Sequence, residues 1–325
     1  MELQAIPGFD NKPVKFKDKN KYPQPKNKAL PNNFYTCLLI GQTGSGKSWS
    51  LVKLLQYYET EKIYTQEGEE CPQRVILISP TYQSNPIFNT LKYLDPEVDV
   101  YESYSDKVLL DIMDDIEATK KEADDYQKVV KIWKKFKKVK KISLLTNSEV
   151  LILQMIDFDI ENVAVPKYKI NPINFLIFDD LICTPCYRPN SPLCELSVKC
   201  RHKGINLFVL AQAIKQVTKV IRIQSRLLML YRYNSKSIVD DIYEIVSGSL
   251  TPEQFTDIYF TATELPHSFL TIDNTKKQLE LKQNLDSLII YKKQTKKDLK
   301  EKSSKKNKKT IEEEPCLSIA VDNKK

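Results

Sequence analysis

Eight consecutive residues, Gly41-Gln42-Thr43-Gly44-Ser45-Gly46-Lys47-Ser48, match the spacing G-x-x-x-x-G-K-[ST] in full and hold three of the chain's seven glycines. The chemistry open to such a segment is the binding of a polyphosphate. Successive backbone N–H groups converge on phosphate oxygens only where the chain turns left-handed or packs very close, and glycine permits both. Lys47 adds a point charge at the β- and γ-phosphates, and the Ser48 hydroxyl is a ligand type for Mg²⁺. Two acids, Asp179 and Asp180, end the apolar run that starts at Ile173. Such a pair completes a phosphoryl-transfer set, Asp179 in the Mg²⁺ shell and Asp180 polarising the attacking water. The run 205–211 closes on Gln212, a polar residue suited to face a γ-phosphate.

These residues need a scaffold, and the flanking patterns describe one. Phe34 to Ile40 is a short β-rich apolar run and Trp49 to Tyr58 has helical spacing, so the glycines sit between a strand and a helix N-terminus. Further buried strands are expected at 74–79, 173–178, 205–210 and 226–231, with a sixth at 267–272. Helices are expected at about 191–203, 236–247 and 251–262. Alternation of this kind predicts an α/β protein, a three-layer sandwich around a mostly parallel sheet. Its Gln212 strand is an additional one, between the strand leading into the glycines and the strand ending in Asp179–Asp180.

Charge divides the chain further. The net +8 lies in the tails: residues 291–309 hold ten lysines against two acids, residues 1–28 seven against three, and residues 310–325 two against four, leaving the body slightly acidic. The domain reading is therefore a basic flexible arm at 1–28, a nucleotide-binding domain at 29–275, and a lysine-rich, disordered extension at 276–325. No apolar run approaches 18 residues and no signal-peptide pattern opens the chain, so a soluble intracellular protein without membrane insertion is expected. Seven scattered cysteines argue for reduced thiols.

One stretch does not belong to the alternating pattern. Residues 106–150 are strongly charged and read as a helical insert. Within it, 128–141 carries eight lysines and no acid, while Val129, Ile132, Trp133, Phe136 and Val139 share one helical face. Such a helix could grip DNA phosphates, dock on an acidic partner, or pack its apolar face on its own domain with the lysines in water.

Taken with Ile78-Ser79-Pro80-Thr81-Tyr82, Phe175 to Asp180, the run Cys200-Arg201-His202 to Gln212, and Ile221-Arg222, the glycine motif resembles that of the poxvirus-type genome-packaging ATPases. These belong to the FtsK–HerA superfamily of P-loop NTPases, found in large DNA viruses, virophages and related elements. The resemblance covers roughly 34–235, without the insert and the tails. It implies a ring-shaped oligomer, a hexamer, that uses ATP and Mg²⁺ to drive double-stranded DNA into a preformed capsid, with capsid components as further partners. The place of work would be the host cytoplasm or viral assembly site, or the virion itself. It also implies an arginine reaching into the neighbouring subunit's site, with Arg222 and Arg201 as the two candidates. A helicase, which should show a second sheet domain and a QxxGRxxR-type motif, and a small-molecule kinase or nucleotide switch are the alternatives.

Cys183, Cys186, Cys194, Cys200 and His202 have a spacing that could ligate zinc. Free thiols are the default, since Cys183 follows the acid-tipped strand directly.

Overall fold

Apolar runs that are covered on both faces fold as parallel strands, and five of the expected runs do so. In a computed structural model, which describes residues 22–182, 184–246 and 250–290, they are β1 (Thr36–Ile40), β2 (Gln73–Ile78), β4 (Ile173–Phe178), β5 (Ile205–Ala211) and β6 (Ser225–Tyr231). A two-residue β3 (Val100–Tyr101) adds to them. The helices are α1 (Lys47–Thr60), α2 (Asp106–Val139), α3 (Asn147–Met155), α4 (Pro192–Lys203), α5 (Lys219–Gln224), α6 (Lys236–Val246) and α7 (Pro252–Ala262). Three more strands, β7 (Phe269–Asp273), β8 (Glu280–Gln283) and β9 (Ser287–Leu288), finish the order β3-β2-β4-β5-β1-β6-β7-β8-β9.

β3 through β6 in this order run parallel, and β5 lies between β1 and β4. The fold is thus that of a P-loop NTPase with the additional strand in the expected place. Alternate strand residues (Cys37, Leu39, Val75, Leu77, Phe175, Ile177, Phe208) join one core with Leu51, Leu55 and Tyr58 of α1. The intervening ones, Leu38, Ile76, Leu176 and Val209, are buried on the opposite face, where α4 packs on β5 and α5 on β1.

The sixth expected strand exists as β7, but it runs antiparallel to β6, with Phe269 opposite Tyr231. The two expected helices, α6 and α7, both intervene, so the chain returns to the edge it left and the next strand points back. A hairpin through β8 and β9 follows. The ordered sheet therefore continues past residue 275, where an extension was expected to begin. Contacts divide the chain into a unit ending at Leu288 and a second unit from Ile289, and residues 1–21 and 291–325, which hold most of the expected arms, lie outside the described residues. At the other end, Tyr22 packs edge-on against Phe34 at 5.6 Å, which ties the chain down from that point.

The insert is one 34-residue helix, capped by the Ser105 hydroxyl, followed by α3 with a Thr146/Glu149 capping box. Its first half belongs to the main domain. Leu109, Ile112 and Ile116 are buried, and the guanidinium of Arg74, only 4% exposed, reaches Asp99 Oδ1 at 2.9 Å and Asp115 Oδ2 at 2.6 Å. Its second half has a small core of its own, Ile132 with Leu153 and Ile156, flanked by Val129, Trp133, Phe136, Leu145, Phe158 and Val163. Four of the five apolar residues expected on one face, Val129, Ile132, Trp133 and Phe136, thus close against α3 and the segment after it. No helix among the described residues is long and apolar enough to cross a membrane.

Candidate active site

β1 ends at Ile40 and α1 begins at Lys47, so the glycine-rich segment is the turn between them. Its glycines answer two different demands. Gly44 and Gly46 adopt φ of 77° and 99°, and a side chain on Gly44 would meet nothing within 4 Å, so conformation alone requires glycine there. At Gly41 space is the limit: a Cβ would stand 2.8 Å from Cβ of Tyr231 and 2.5 Å from Oγ of Ser45. The loop is braced from behind by the Tyr231 hydroxyl, which donates to Gly46 O at 3.2 Å.

Lys47 folds back over the loop, donating to Gly41 O at 2.7 Å and Gln42 O at 3.1 Å. Burial lowers its pKa, and the charges of Asp179 and Asp180 oppose that shift. The Ser48 hydroxyl donates to Asp179 Oδ1 at 3.4 Å, across the gap between α1 and the tip of β4. Asp179 is 4% exposed and also accepts from Ser79 Oγ at 3.2 Å. Burial raises its pKa to about 6, helped by the Asp180 charge and opposed by Ser79, Lys47 and Ser48.

Asp180 leaves the strand in the left-handed region, φ 51°, which swings its carboxylate toward β5. There it accepts from Gln212 Nε2 at 3.2 Å, and the Gln212 carbonyl is held in turn by the Tyr233 hydroxyl. A cavity of about 340 Å³ opens between these groups, lined by Gly44, Lys47, Ser48, Asp179, Asp180 and Gln212, with Thr43, Trp49, Thr81 and Asn85 at its edges. The geometry thus joins a phosphate-binding turn, a hydroxyl–carboxylate pair and a carboxylate–amide pair at the C-terminal edge of one sheet, where α/β folds place their ligands.

The hydroxyl–carboxylate pair fits Mg²⁺ by its chemistry. Both donors are hard oxygens, and Mg²⁺ takes only one or two protein oxygens beside water and phosphate. It needs no cluster of three acidic, thiol or imidazole groups, and none that could hold a metal occurs among the described residues. For zinc the outcome is different. Cys200 sits by Thr36 Oγ1 at 3.7 Å and Cys194 by Thr218 Oγ1 at 3.2 Å, while burial raises the Cys186 thiol to about 11. These three do not converge with His202, and Cys183 lies outside the described residues.

The two arginines are not brought to this cavity. Arg201 lies in the last turn of α4 just before β5 begins, its guanidinium 5.3 Å from the Tyr22 ring. Arg222 is in α5, directly before Ser225, which pairs with the first residue of β1. Both therefore stand at the N-terminal edge of the sheet, roughly 16 Å of strand away from the glycine turn. Arg222 Nε is buried there with no hydrogen-bond partner.

Sequence reasoning missed Ser79 as the partner of Asp179, and Tyr231, Tyr233 and His267 as supports of the turn and of Gln212. A Ser-Pro pair ending a buried strand was a visible signal for Ser79. The others have no local signal, because each touches its target from a distant strand end.

No family model and no curated protein matches the sequence. Among solved structures, the chain is similar to the genome-packaging NTPase B204 of Sulfolobus turreted icosahedral virus 2 in complex with ATP-gammaS. The match has 13% identity and a TM-score of 0.38 and covers 76% of this chain and 96% of that one. It is also similar to the cytoplasmic domain of the type VII secretion ATPase EccC of Thermomonospora curvata, at 15% identity and TM-score 0.41, covering 79% of this chain but 24% of the other. EssC (ATPases 2 and 3) from Geobacillus thermodenitrificans matches at 12% identity and TM-score 0.41, with 85% and 44% covered. At such values the functional reading rests on the geometry of the site itself.

Proposed function

We propose that this chain is an ATPase that couples hydrolysis to movement along double-stranded DNA, and that the DNA is a viral genome being packaged. The observation that carries the hydrolytic half is the Asp180–Gln212 hydrogen bond, 3.2 Å, standing beside Lys47, Ser48 and Asp179. A nucleotide switch or kinase needs the phosphate turn and the metal ligands, but a carboxylate and an amide hydrogen-bonded to each other on the wall of the same cavity suit the positioning of a water.

Each side chain then has a role. The loop N–H groups and Lys47 hold the β- and γ-phosphates and neutralise charge on the transferred group. Ser48 and Asp179 would hold Mg²⁺, which when bound screens the phosphates and stabilises the developing negative charge. Asp180 accepts a proton or hydrogen bond from the attacking water, and Gln212 fixes the carboxylate and senses the γ-phosphate. Arg222 or Arg201 would act on the site of a neighbouring subunit, since in its own subunit each lies at the far edge of the sheet. This requires an oligomer, read as a ring of six.

Support for DNA as the track comes from the insert. With its apolar seam closed internally, the second half of α2 turns its other side to solvent, and Lys134, Lys137 and Lys138 are exposed there. Two of the eight lysines form ion pairs, Lys131 with Glu67 and Lys135 with Glu149, each at 2.8 Å, and Lys137 Nζ lies 5.1 Å from the centre of the Trp133 ring. Protein interfaces are depleted in lysine and built around apolar anchors, whereas phosphate backbones ask only for positive charge. The described residues hold a single sheet, which does not favour the two-domain helicase alternative. Packaging itself follows from the motif resemblance, with capsid components as partners and the assembly site or virion as location.

The test is steady-state ATP hydrolysis with and without duplex DNA, together with the mass of the protein in solution. Turnover stimulated by duplex DNA in an oligomer is expected. Turnover indifferent to DNA of any length, in a monomer, overturns the motor reading.

A further inference from the structure

A triphosphate laid across the glycine turn has two ends, and the cavity described above accounts for one. Its γ end belongs beside Asp179, Asp180 and Gln212, which project from β4 and β5, on one side of β1. The other end must leave toward β6, on the opposite side of β1. A second cavity, about 530 Å³, lies there and shares Thr43 and Gly44 with the first. Its volume falls within the roughly 300–1,000 Å³ typical of small-molecule sites.

The walls come from the two segments that the antiparallel return of β7 brings to this edge. After β6, Arg232 and Asn234 project. Arg232 is fixed by a bond from Nη1 to Phe260 O at 3.1 Å and by stacking on the Phe260 ring at 4.6 Å. Before β7, the turn Glu264-Leu265-Pro266-His267 forms the other wall. His267 holds the left-handed conformation, φ 62°, which no glycine relieves, and its Nδ1–H donates to Ser45 O at 3.3 Å. That bond puts the imidazole against Gly46, 3.7 Å from where a Cβ would stand. The phosphate loop and the second cavity are thus mechanically joined through one side chain.

We infer that this second cavity seats the ribose and base of the nucleotide, with His267 and Arg232 as its positioning residues, and that it discriminates only weakly between purines. The inference rests on the hydrolysis-site reading. Strong base selection requires buried polar groups that go unpaired with the wrong base. Here Arg232, Asn234, Glu264 and His267 are all exposed, so water satisfies them whichever base is present. Planar imidazole and guanidinium groups stack on any purine.

The experiment uses the full chain and four probes, inorganic tripolyphosphate, ATP, GTP and ADP, with binding followed by calorimetry in the wild type, His267→Ala and Arg232→Ala. ATP and GTP should bind the wild type within about threefold of each other, since neither base meets a dedicated partner. Arg232→Ala should weaken ATP, GTP and ADP by about five- to tenfold, the size of one lost cation–π or stacking contact, while tripolyphosphate stays within about twofold. His267→Ala should weaken the three nucleotides at least as much. A preference between ATP and GTP above about a hundredfold overturns the claim of weak discrimination. Nucleotide affinities that follow tripolyphosphate unchanged through both substitutions overturn the seat itself. Failure of tripolyphosphate and ATP alike to bind the wild type overturns the hydrolysis-site reading and the seat with it. Tripolyphosphate binding that is retained while the seat fails separates the two.

Discussion

On the proposed function two parts of this chain meet phosphate, and they do it in opposite ways. At the sheet edge a short turn between β1 and α1 uses backbone geometry: two glycines at positive φ, a third with no room for a Cβ, and one lysine bonded to the loop carbonyls. In the insert, α2 uses side chains alone, lysines on the solvent side of a helix whose apolar side is closed against α3. The first site is rigid, partly buried and intolerant of change at single atoms. The second is solvated, redundant and screened by salt. The comparison teaches that the proposed chemistry sits where groups from different strands brace one another, as Asp180 with Gln212 and Asp179 with Ser48, and that the proposed attachment to a polyanion relies on solvated charges.

The comparison breaks first, and with the largest effect, at Lys47. Lys47→Ala should lower ATP turnover by about 10²–10³ or more, as expected for removing a preorganised charge from the transferred phosphoryl group, while DNA affinity without nucleotide is unchanged. Turnover within tenfold of the wild type would place catalysis elsewhere. Next in size is the insert's own core. Leu153 is fully buried between α3 and α2, so Leu153→Ala should cost about 2–5 kcal/mol of local stability. Amide exchange should rise in 128–158, with ATP turnover in the absence of DNA unaltered. Protection lost across the whole sheet would show the two regions to be one cooperative unit.

A smaller and graded effect belongs to the lysine face. Replacing Lys134, Lys137 and Lys138 together by Gln should reduce the slope of log affinity against log salt for duplex DNA by up to about 3, since each phosphate contact contributes roughly 0.9. An unchanged slope would remove the insert from the DNA-binding surface. The smallest effect is one of pH. Asp179 titrates at about 6, above the ordinary 3.8, so the native state holds its proton where the unfolded chain has released it. Stability of the nucleotide-free protein should therefore fall as pH rises from about 4 through 6, by an amount on the order of 1–3 kcal/mol. Affinity for Mg²⁺ should move the other way and weaken below about pH 6, because the ion must then displace the proton of Asp179. Asp179→Asn should flatten the stability profile in that window; a profile identical to the wild type would deny the shift.

Much of the sheet edge was legible because its signals are local. An apolar run that ends in two acids, or in Gln212, states both a buried strand and its candidate functional tip within eight residues. The glycine motif fixes its own place between a strand and a helix. Contacts between strand tips were not legible, since Ser79 and Asp179 or His267 and Ser45 meet only after the strands take their order. Both helices between β6 and β7 were legible, but spacing alone does not decide that the second runs back against the first and so returns β7 antiparallel. In the insert the periodicity of Val129, Ile132, Trp133 and Phe136 announced a seam, but its partner, α3, extends to Met155, past the expected limit of 150. Arg201 and Arg222 stayed ambiguous for a physical reason: neither completes a constellation within its own subunit, since both stand at the N-terminal edge of the sheet.

The central claim is that Asp180, held by Gln212 beside the phosphate turn, activates the water that cleaves ATP. Asp180→Asn keeps the size and the hydrogen-bonding shape of the side chain but removes its basicity. Single-turnover hydrolysis and ATP affinity, measured together on this variant, test the claim most directly. ATP binding within about threefold of the wild type with cleavage slowed by about 10² or more is the result the account predicts. Cleavage at the wild-type rate by Asp180→Asn, with ATP bound, would contradict it.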